Sequence, residues 1–262
     1  MEKHVKSSDG VDIFYELSGQ GPESLIFVHG WMGSGRWWDQ QAQWFAKSYQ
    51  VVQLDLAGHG RSGKNRPNWS VAAYADDISA VVQDAKLANC HLIGHSMSGS
   101  NVIDAVHILD SRVRSIILVD TLLDLDAMPD LAAVAPMFAD LRANYRATIE
   151  GALAQFLLLP SSPEAVRQRL RQEMLAVEPE HAIAILEPFY RSDIRPAASQ
   201  LKIPVRAINA STRPTNATAN RKYFRDFDYK TMDGVGHYPM LEAPDAFNQL
   251  LAISLKDLST RC

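Results

Sequence analysis

The fold of this chain is decided by the stretch Cys90-His91-Leu92-Ile93-Gly94-His95-Ser96-Met97-Ser98-Gly99. Its first four residues have the character of a strand, and a glycine, a serine and a segment with helical spacing of apolar side chains follow them. A strand, a very tight turn and a helix require this order. We therefore predict a strand at residues 90–93, a turn at Ser96 and a helix at residues 97–109.

The turn at Ser96 follows the pattern Gly-x-Ser-x-Gly, in which a strained backbone makes the serine hydroxyl stand clear of the sheet. The pattern calls for small neighbours, since a Cβ two positions before or after the serine would collide with the turn. Gly94 fits, whereas Ser98 replaces the second glycine and Gly99 follows one place later. We interpret the turn as a nucleophile elbow with a mild departure, although so short a pattern is also compatible with an ordinary turn serine.

Composition and length are those of an ordinary globular protein with one large α/β domain. The 262 residues carry a formal net charge of −4. Nucleic acids and anionic membranes favour clustered basic surfaces, so we predict neither as a partner. The first ten residues lack the apolar segment of a signal peptide, and no apolar run approaches the roughly 20 residues of a membrane span. The expected location is cytoplasmic.

The two cysteines, Cys90 and Cys262, match neither a disulfide framework nor the spacing of metal ligands. Cys90 lies in a predicted buried strand, where we expect a small core residue. No metal and no cofactor are predicted.

Predicted strands alternate with predicted helices along the first 120 residues. Largely apolar runs of this kind are typical of strands buried on both faces of a parallel sheet, whereas the alternation at residues 11–17 predicts a half-exposed strand of an antiparallel edge hairpin. Buried strands are predicted at 25–28, 51–54, 90–93, 113–119, 205–208 and 229–232, and helices at 36–47, 71–85, 97–109 and 244–258. The expected fold class is therefore α/β, with a mostly parallel sheet flanked by helices.

Residues 121–200 show no strand pattern. The segment is rich in alanine and leucine and is interrupted by prolines, among them Pro129, Pro136, Pro160, Pro163, Pro179 and Pro188. Several short helices are the expected outcome. We predict a core of residues 1–120 and 201–262, with residues 121–200 inserted after the strand that ends near Asp120 as a helical cap over the carboxyl edge of the sheet.

Four motifs resemble those of the α/β-hydrolase family, in the same order, and the resemblance covers nearly the whole chain. They are Phe27-Val28-His29-Gly30, Asp55-Leu56-Ala57-Gly58-His59-Gly60-Arg61-Ser62, the elbow at Ser96, and Gly236-His237-Tyr238-Pro239-Met240-Leu241-Glu242. The resemblance implies a sheet of the eight-stranded type. It says less about the substrate, because this fold hosts esterases, lipases, lactonases, carbon–carbon bond hydrolases, dehalogenases, cofactor-free dioxygenases and non-catalytic receptors.

A serine hydroxyl needs a base to become a nucleophile, and the candidate base for Ser96 is His237. His237 lies in a glycine-flanked loop after the last predicted strand, and the resemblance implies that this loop reaches the elbow. An exposed loop histidine is the alternative. His95 adjoins the serine but should point its side chain away from it, and His29 and His59 are expected to form structural hydrogen bonds.

The carboxylate that orients the base is the least certain member of the predicted triad. In many relatives it follows the strand that we place at residues 205–209, but here no acid occurs after that strand until Asp226. Other relatives carry the acid one strand earlier, where this chain has Asp120. We predict Asp120 as the acid and Asp124 as the fallback. A dyad completed by water, and an Asp120 that only caps the next helix, stay open as alternatives.

Two backbone N–H groups are candidates for an oxyanion hole, because acyl transfer needs donors to the developing oxyanion. They are those of Trp31, after the His29-Gly30 pair, and of Met97, after the predicted nucleophile. The side chains of both residues are expected to line the pocket.

These residues predict a serine hydrolase that cleaves a small, apolar carboxylic ester or lactone through an acyl-enzyme. The alternatives are a cofactor-free dioxygenase or carbon–carbon bond hydrolase, in which His237 and Asp120 deprotonate the substrate, and a non-catalytic ligand-binding member. A dehalogenase or epoxide hydrolase is disfavoured, since those relatives carry an aspartate where Ser96 stands. A small molecule is the expected partner, and no oligomeric state is predicted.

Overall fold

A computed structural model describes residues 1–259, so Cys262 lies outside the described residues. Its strands form one sheet in the order β1-β2-β4-β3-β5-β6-β7-β8. The pairs β1–β2 and β2–β4 are antiparallel, and the other pairs are parallel. The strands are β1 Glu2–Lys6, β2 Asp12–Ser18, β3 Ser24–Val28, β4 Gln50–Leu54, β5 Cys90–His95, β6 Val113–Val119, β7 Val205–Ala210 and β8 Phe227–Met232. The predicted α/β fold class is confirmed.

Helices flank this sheet and connect its parallel strands. The α-helices are α1 Asp39–Phe45, α2 Val71–Asp84, α3 Ser98–Leu109, α4 Leu131–Ala152, α5 Glu164–Leu175, α6 Pro179–Arg191, α7 Arg195–Ser199, α8 Ala217–Asn220, α9 Pro239–Glu242 and α10 Pro244–Ser259. Short 3₁₀ segments lie at Gly35–Trp38, Asp110–Arg112 and Leu125–Ala127, and a π-helical turn at Leu153–Leu157. Ser70 caps α2 by accepting a hydrogen bond from the Ala73 N–H.

The register of the central strands brings three loops to one edge of the sheet. In the parallel pairs, Val28 of β3 is opposite Gly94 of β5, and His95 of β5 is opposite Val119 of β6. The loops that leave these strands therefore begin side by side at their carboxyl ends. Ligand sites of α/β sheets lie at this edge.

The N-terminal hairpin differs from its prediction in two ways. Strand β1 was not predicted, because its residues are mostly polar and their pattern gives no local signal. Strand β2 is expected to be half exposed, but Ile13, Phe14 and Tyr15 are all buried. The outer face is covered because the Arg61 guanidinium lies 3.4 Å from the centre of the Phe14 ring.

The segment between β6 and β7 contains α4 to α7 and no strand. Hydrogen bonds join these helices to the segment that follows β3: Trp31 Nε1 donates to the Ala182 carbonyl at 2.7 Å, and Trp37 Nε1 donates to Glu173 Oε2 at 2.6 Å. The Tyr74 hydroxyl donates to a second carbonyl in α6, that of Ile185. These contacts join the helices to the segments that follow β3 and β4.

Within residues 1–259, no helix has the length and apolar character needed to cross a membrane. Cys90 is fully buried in β5, as expected of a small core residue, and burial raises the pKa of its thiol to about 12.

Candidate active site

Ser96 lies at the turn between β5 and α3 and has a backbone φ of +55°, in the left-handed region that non-glycine residues rarely adopt. Its N–H donates to the Val119 carbonyl, which ties the turn to the neighbouring strand. A Cβ on Gly94 would lie 2.6 Å from the Ser98 carbonyl oxygen, and a Cβ on Gly30 would lie 2.9 Å from Ser96 Cβ. The backbone of the turn can approach its surroundings this closely only because glycine occupies both positions.

Ser98, the mild departure from the pattern, makes a contact of its own. Its hydroxyl donates to the His29 carbonyl at 2.5 Å and so ties α3 to the loop after β3. Gly99, the residue after Ser98, also has no room for a Cβ, since the added atom would lie 2.6 Å from Thr121 Cγ2. Glycine at this position therefore allows α3 to lie close to the end of β6.

His237 lies between a hydroxyl and a carboxylate. Its Nε2 is 2.9 Å from Ser96 Oγ, and its Nδ1 is 2.6 Å from Asp120 Oδ2. The side chain of Asp120 is wholly buried, and its other oxygen accepts a hydrogen bond of 2.9 Å from the Ala210 N–H. The structure thus brings together Ser96, His237 and Asp120, which the sequence places up to 141 residues apart.

The charges around Asp120 favour its ionised form. Burial alone would raise the pKa of this carboxyl, but the hydrogen bond and charge of His237 and the charge of Arg213 outweigh it, with help from the Ala210 N–H. The net effect holds the pKa well below its usual value. A permanent carboxylate therefore faces the Nδ1 side of the imidazole.

The fallback acid, Asp124, is elsewhere. One of its oxygens accepts a hydrogen bond from Asn216 Nδ2 at 2.8 Å, and the other caps a 3₁₀ turn through the Asp126 N–H. It lines the same pocket but makes no contact with His237 among the described residues.

The backbone of the His237 loop is fixed on both sides. Its N–H donates to the Leu157 carbonyl at 2.7 Å, and its carbonyl lies 2.8 Å from His95 Nε2. Glu242 accepts hydrogen bonds from the N–H groups of Gly236 and Tyr238. Sequence reasoning included Glu242 in a motif but assigned it no role, and the i to i+4 spacing from Tyr238 is the signal that could have suggested one.

The other buried histidines form structural hydrogen bonds, as the sequence predicts. His29 Nε2 accepts from the Leu56 N–H at 3.1 Å, and His59 Nδ1 lies 2.9 Å from the Ala57 carbonyl. His95 Nε2 lies 2.8 Å from the His237 carbonyl and so supports the backbone of His237, a role that we did not predict. Burial, followed by the charge of His237, lowers the pKa of His95 well below its usual value, so this ring stays neutral.

Arg213, which sequence reasoning missed, also reaches the site. Its Nη2 forms an ion pair with Asp120 Oδ2 and lies 2.9 Å from His237 Nδ1. It follows β7, in the loop where many relatives carry the acid. A basic residue in that loop is the signal in the sequence that could have indicated it.

A cavity of about 480 Å³ opens above Ser96 and His237. Its wall is mainly apolar and comes from both the sheet edge and the helical segment, including Trp31, Leu122, Met128, Met137, Leu157, Leu186, Phe189 and Tyr190. Phe156 also lines it, with 74% of its surface exposed. Phe138 and Tyr145, two further aromatic residues of the helical segment, do not line this cavity.

The two predicted oxyanion donors lie in the loops beside Ser96. Within the described part of the chain, neither the Trp31 N–H nor the Met97 N–H donates to another protein group. The Trp31 side chain lines the cavity as expected. The Met97 side chain does not line the cavity and is instead buried in the core. Met97 directly precedes α3, whose apolar face covers the sheet.

No group of three or more histidine, cysteine, aspartate or glutamate side chains in residues 1–259 is arranged to hold a metal ion.

Comparisons with known proteins agree on one family. The family model described as "Alpha/beta hydrolase family" matches residues 25–250. A non-heme chloroperoxidase of Burkholderia pyrrocinia is 40% identical over 101 residues, 38% of this chain and 36% of that protein, so the match spans little more than a third of that relative. A pimeloyl-[acyl-carrier protein] methyl ester esterase of Methylococcus capsulatus is 28% identical over 207 residues, 75% of this chain and 78% of that protein.

Solved structures show the same fold. The bromoperoxidase of Bacillus anthracis superposes with a TM-score of 0.86 at 19% identity, and covers 98% of this chain and 100% of its own. An esterase of Exiguobacterium antarcticum gives a TM-score of 0.86 at 18% identity with the same coverage.

Proposed function

This chain belongs to the alpha/beta hydrolase family, and on that premise we propose that it is a serine hydrolase that cleaves a small carboxylic ester or lactone. The observation that carries the proposal is the pair of contacts at His237, 2.9 Å from Nε2 to Ser96 Oγ and 2.6 Å from Nδ1 to Asp120 Oδ2. A base within hydrogen-bond reach of a hydroxyl, itself oriented by a carboxylate, is the arrangement that nucleophilic catalysis requires.

The first half of the reaction forms the acyl-enzyme. Ser96 Oγ attacks the carbonyl carbon of the substrate while His237 Nε2 takes the hydroxyl proton. Asp120 stabilises the imidazolium that results, and the N–H groups of Trp31 and Met97 donate to the oxyanion. The imidazolium then gives its proton to the leaving alcohol, and the bond between the carbonyl carbon and the leaving oxygen breaks.

The second half releases the acid. Water takes the place of the alcohol, His237 accepts one of its protons, and the oxygen attacks the acyl carbon. Collapse of the second tetrahedral intermediate breaks the bond to Ser96 Oγ, which recovers its proton from His237. For a lactone, acid and alcohol leave as one molecule.

The wall of the cavity supports a small apolar substrate. Aliphatic and aromatic side chains dominate it, and apolar pockets with a few convergent polar groups are the usual form of small-molecule sites. We assign residues 121–200 as the cap that shapes this pocket, since its helices supply much of the wall. Relatives named as a methyl ester esterase and as a bifunctional esterase/perhydrolase support ester chemistry for this chain.

A fluorophosphonate probe and short p-nitrophenyl esters test the proposal. We expect the probe to label the wild-type protein and Ser96→Ala to abolish labelling, with a loss of about 10⁴ or more in kcat/KM. Ser100→Ala is the matched control, because its hydroxyl is buried in α3, the helix that follows Ser96, without a hydrogen-bond partner in residues 1–259. Failure of the wild type in both assays, or equal labelling of Ser96→Ala, would reject the serine hydrolase.

A further inference from the structure

Arg213 brings hydrogen-bond donors to the cavity that the contacts within the protein do not use. Its Nη2 donates to Asp120 Oδ2, whereas its Nε and Nη1 have no acceptor among residues 1–259. The side chain is 46% exposed and lines the cavity above Ser96. A guanidinium carries five N–H donors and cannot accept a hydrogen bond. The partner that fits the free donors is therefore an oxygen atom of a bound molecule.

A second donor comes from the helical segment. Tyr190 in α6 lines the same cavity, and its hydroxyl has no hydrogen-bond partner in the described part of the chain. Edge contacts with Phe138 and Phe189, at 6.1 and 5.0 Å between ring centres, hold its ring in place. Burial raises the pKa of Tyr190 and the nearby charge of Arg213 acts against that rise, so the hydroxyl keeps its proton.

The positive charge of Arg213 is already balanced. Its ion-pair partner Asp120 is wholly buried, and Asp124 adds a second carboxylate to the wall. The described residues that line the cavity thus include two carboxylates and one guanidinium. An anionic group would leave water for a wall without an unpaired positive charge, which is unfavourable. A neutral acceptor forms the same hydrogen bonds and avoids this cost.

The free donors lie close to the reacting groups. Arg213 Nη2 is 2.9 Å from His237 Nδ1, and Ser96 Oγ is 2.9 Å from Nε2 of the same ring. One imidazole ring therefore separates the guanidinium from the nucleophile. An acyl chain in which a few carbon–carbon bonds separate a second oxygen from the reacting carbonyl can span this distance.

We propose that Arg213 and Tyr190 form a subsite for a neutral carbonyl oxygen, so that the substrate is an ester or lactone with a ketone or amide in its acyl part. This proposal rests on the proposed function, since it names the substrate class of the same site. The apolar wall then contacts the carbon chain between the two carbonyl groups.

Three methyl esters of equal size and similar shape test the subsite. Methyl 6-oxoheptanoate ends in a ketone, monomethyl adipate in a carboxylate and methyl 6-methylheptanoate in a branched hydrocarbon. Calorimetric titration of the full chain carrying Ser96→Ala, which cannot form an acyl-enzyme, gives their dissociation constants. We expect the ketone to bind about three- to tenfold more tightly than the carboxylate. The corresponding sets built on 4-oxopentanoate and 5-oxohexanoate allow for chain length.

Arg213→Met and Tyr190→Phe, each added to Ser96→Ala, remove the donors one at a time. Each should weaken binding of the ketone about three- to tenfold and leave the hydrocarbon within about twofold, because only the ketone has an acceptor. The hydrocarbon also reports any disturbance of His237 by the loss of Arg213. Arg221→Met removes an exposed arginine just after α8 and is the matched control, with no change expected for either ester.

Failure of the ketone to bind, tighter binding of the carboxylate, or equal losses for ketone and hydrocarbon in both variants would overturn the proposal. If Arg213→Met does not fold, Tyr190→Phe carries the comparison, since it keeps the ring. Because binding needs no turnover, the expected pattern without probe labelling at Ser96 would reject the hydrolase and retain the subsite. Labelling of Ser96 without the pattern would reject only the subsite.

Discussion

At the scale of single residues, the site depends on which carboxylate faces His237. Asp120 reaches Nδ1 from a left-handed backbone position, with a φ of +44°, just after β6. The strained conformation turns its side chain inward, and the Ala210 N–H fixes the second oxygen. Asp124 has its own partners and stays outside this contact.

We predict that Asp120→Asn lowers kcat by up to about 10⁴, because an amide cannot hold the imidazole in the tautomer that accepts the serine proton. Asp124→Asn is the control and should change kcat by only a few fold, since it lies in the same wall without touching the base. Steady-state kinetics with one p-nitrophenyl ester measures both. A larger loss in Asp124→Asn would move the acid to that residue.

At the scale of elements, the structure depends on how α3 sits against its neighbours. The Ser98 hydroxyl anchors it to the loop after β3, and Gly99 lets it approach Thr121 at the end of β6. Helix α3, which begins just after Ser96, is thus tied to the two loops that carry Trp31 and Asp120.

Ser98→Ala should lower the free energy of unfolding by about 1–2 kcal/mol, because it leaves the buried His29 carbonyl without its donor. Ser100→Ala deletes a neighbouring buried hydroxyl that has no partner within residues 1–259, and we expect a change of less than about 0.5 kcal/mol. Urea denaturation measures both values. Equal losses in the two variants would show that the Ser98 hydrogen bond does not stabilise the fold.

Two glycines in helices should respond to alanine with opposite signs. A Cβ at Gly99 would lie 2.6 Å from Thr121, so we expect Gly99→Ala to destabilise the protein by about 1–3 kcal/mol. A Cβ at Gly151 in α4 would have nothing within 4 Å, so Gly151→Ala should stabilise it by up to about 1 kcal/mol. Thermal unfolding of both variants provides the comparison, and destabilisation by Gly151→Ala would contradict it.

Elements with a strong local signal could be predicted from the sequence, and elements defined by contacts could not. Residues 113–119 are predicted and observed as a strand because a run of apolar side chains serves both faces of the sheet. Strand β1 could not be predicted from its own residues because pairing with β2, for example Val5 with Ile13, determines its conformation. The position of the helical segment depends on contacts such as Trp37 with Glu173, which are 136 residues apart.

The same division holds for the site. Ser96, His237 and Asp120 come from motifs and their order, and their catalytic roles stay a prediction for the labelling and kinetic experiments. Arg213 reaches the site, and His95 and Glu242 support the His237 loop, through contacts between segments that are separate in the sequence. No periodicity or short motif encodes such contacts, since each partner belongs to a different part of the chain.

At the scale of the whole molecule, the cavity is built jointly by the sheet edge and the helices between β6 and β7. Phe156 is its most exposed aromatic wall residue, in the π-helical turn Leu153–Leu157. An aromatic side chain that is 74% exposed contributes little to the core, so its place at the pocket suggests contact with substrate.

Phe156→Ala should therefore raise KM for an ester with a long acyl chain several fold, with a change of less than about 0.5 kcal/mol in the free energy of unfolding. Ile253→Ala, which removes an exposed apolar side chain from α10 away from the pocket, is the control. Kinetics with short and long p-nitrophenyl esters checks the expectation. An unchanged KM for the long ester would remove Phe156 from the binding surface.

The hydrogen bond from the His237 N–H to the Leu157 carbonyl joins the wall of the cavity to the loop that carries His237. A ligand too large for the cavity must displace Leu157, and this displacement would break the hydrogen bond that holds the His237 backbone. We therefore expect large ligands to shift His237 out of its position beside Ser96 as they bind. Amide hydrogen exchange at His237 that stays slow in the presence of a bulky inhibitor would refute this coupling.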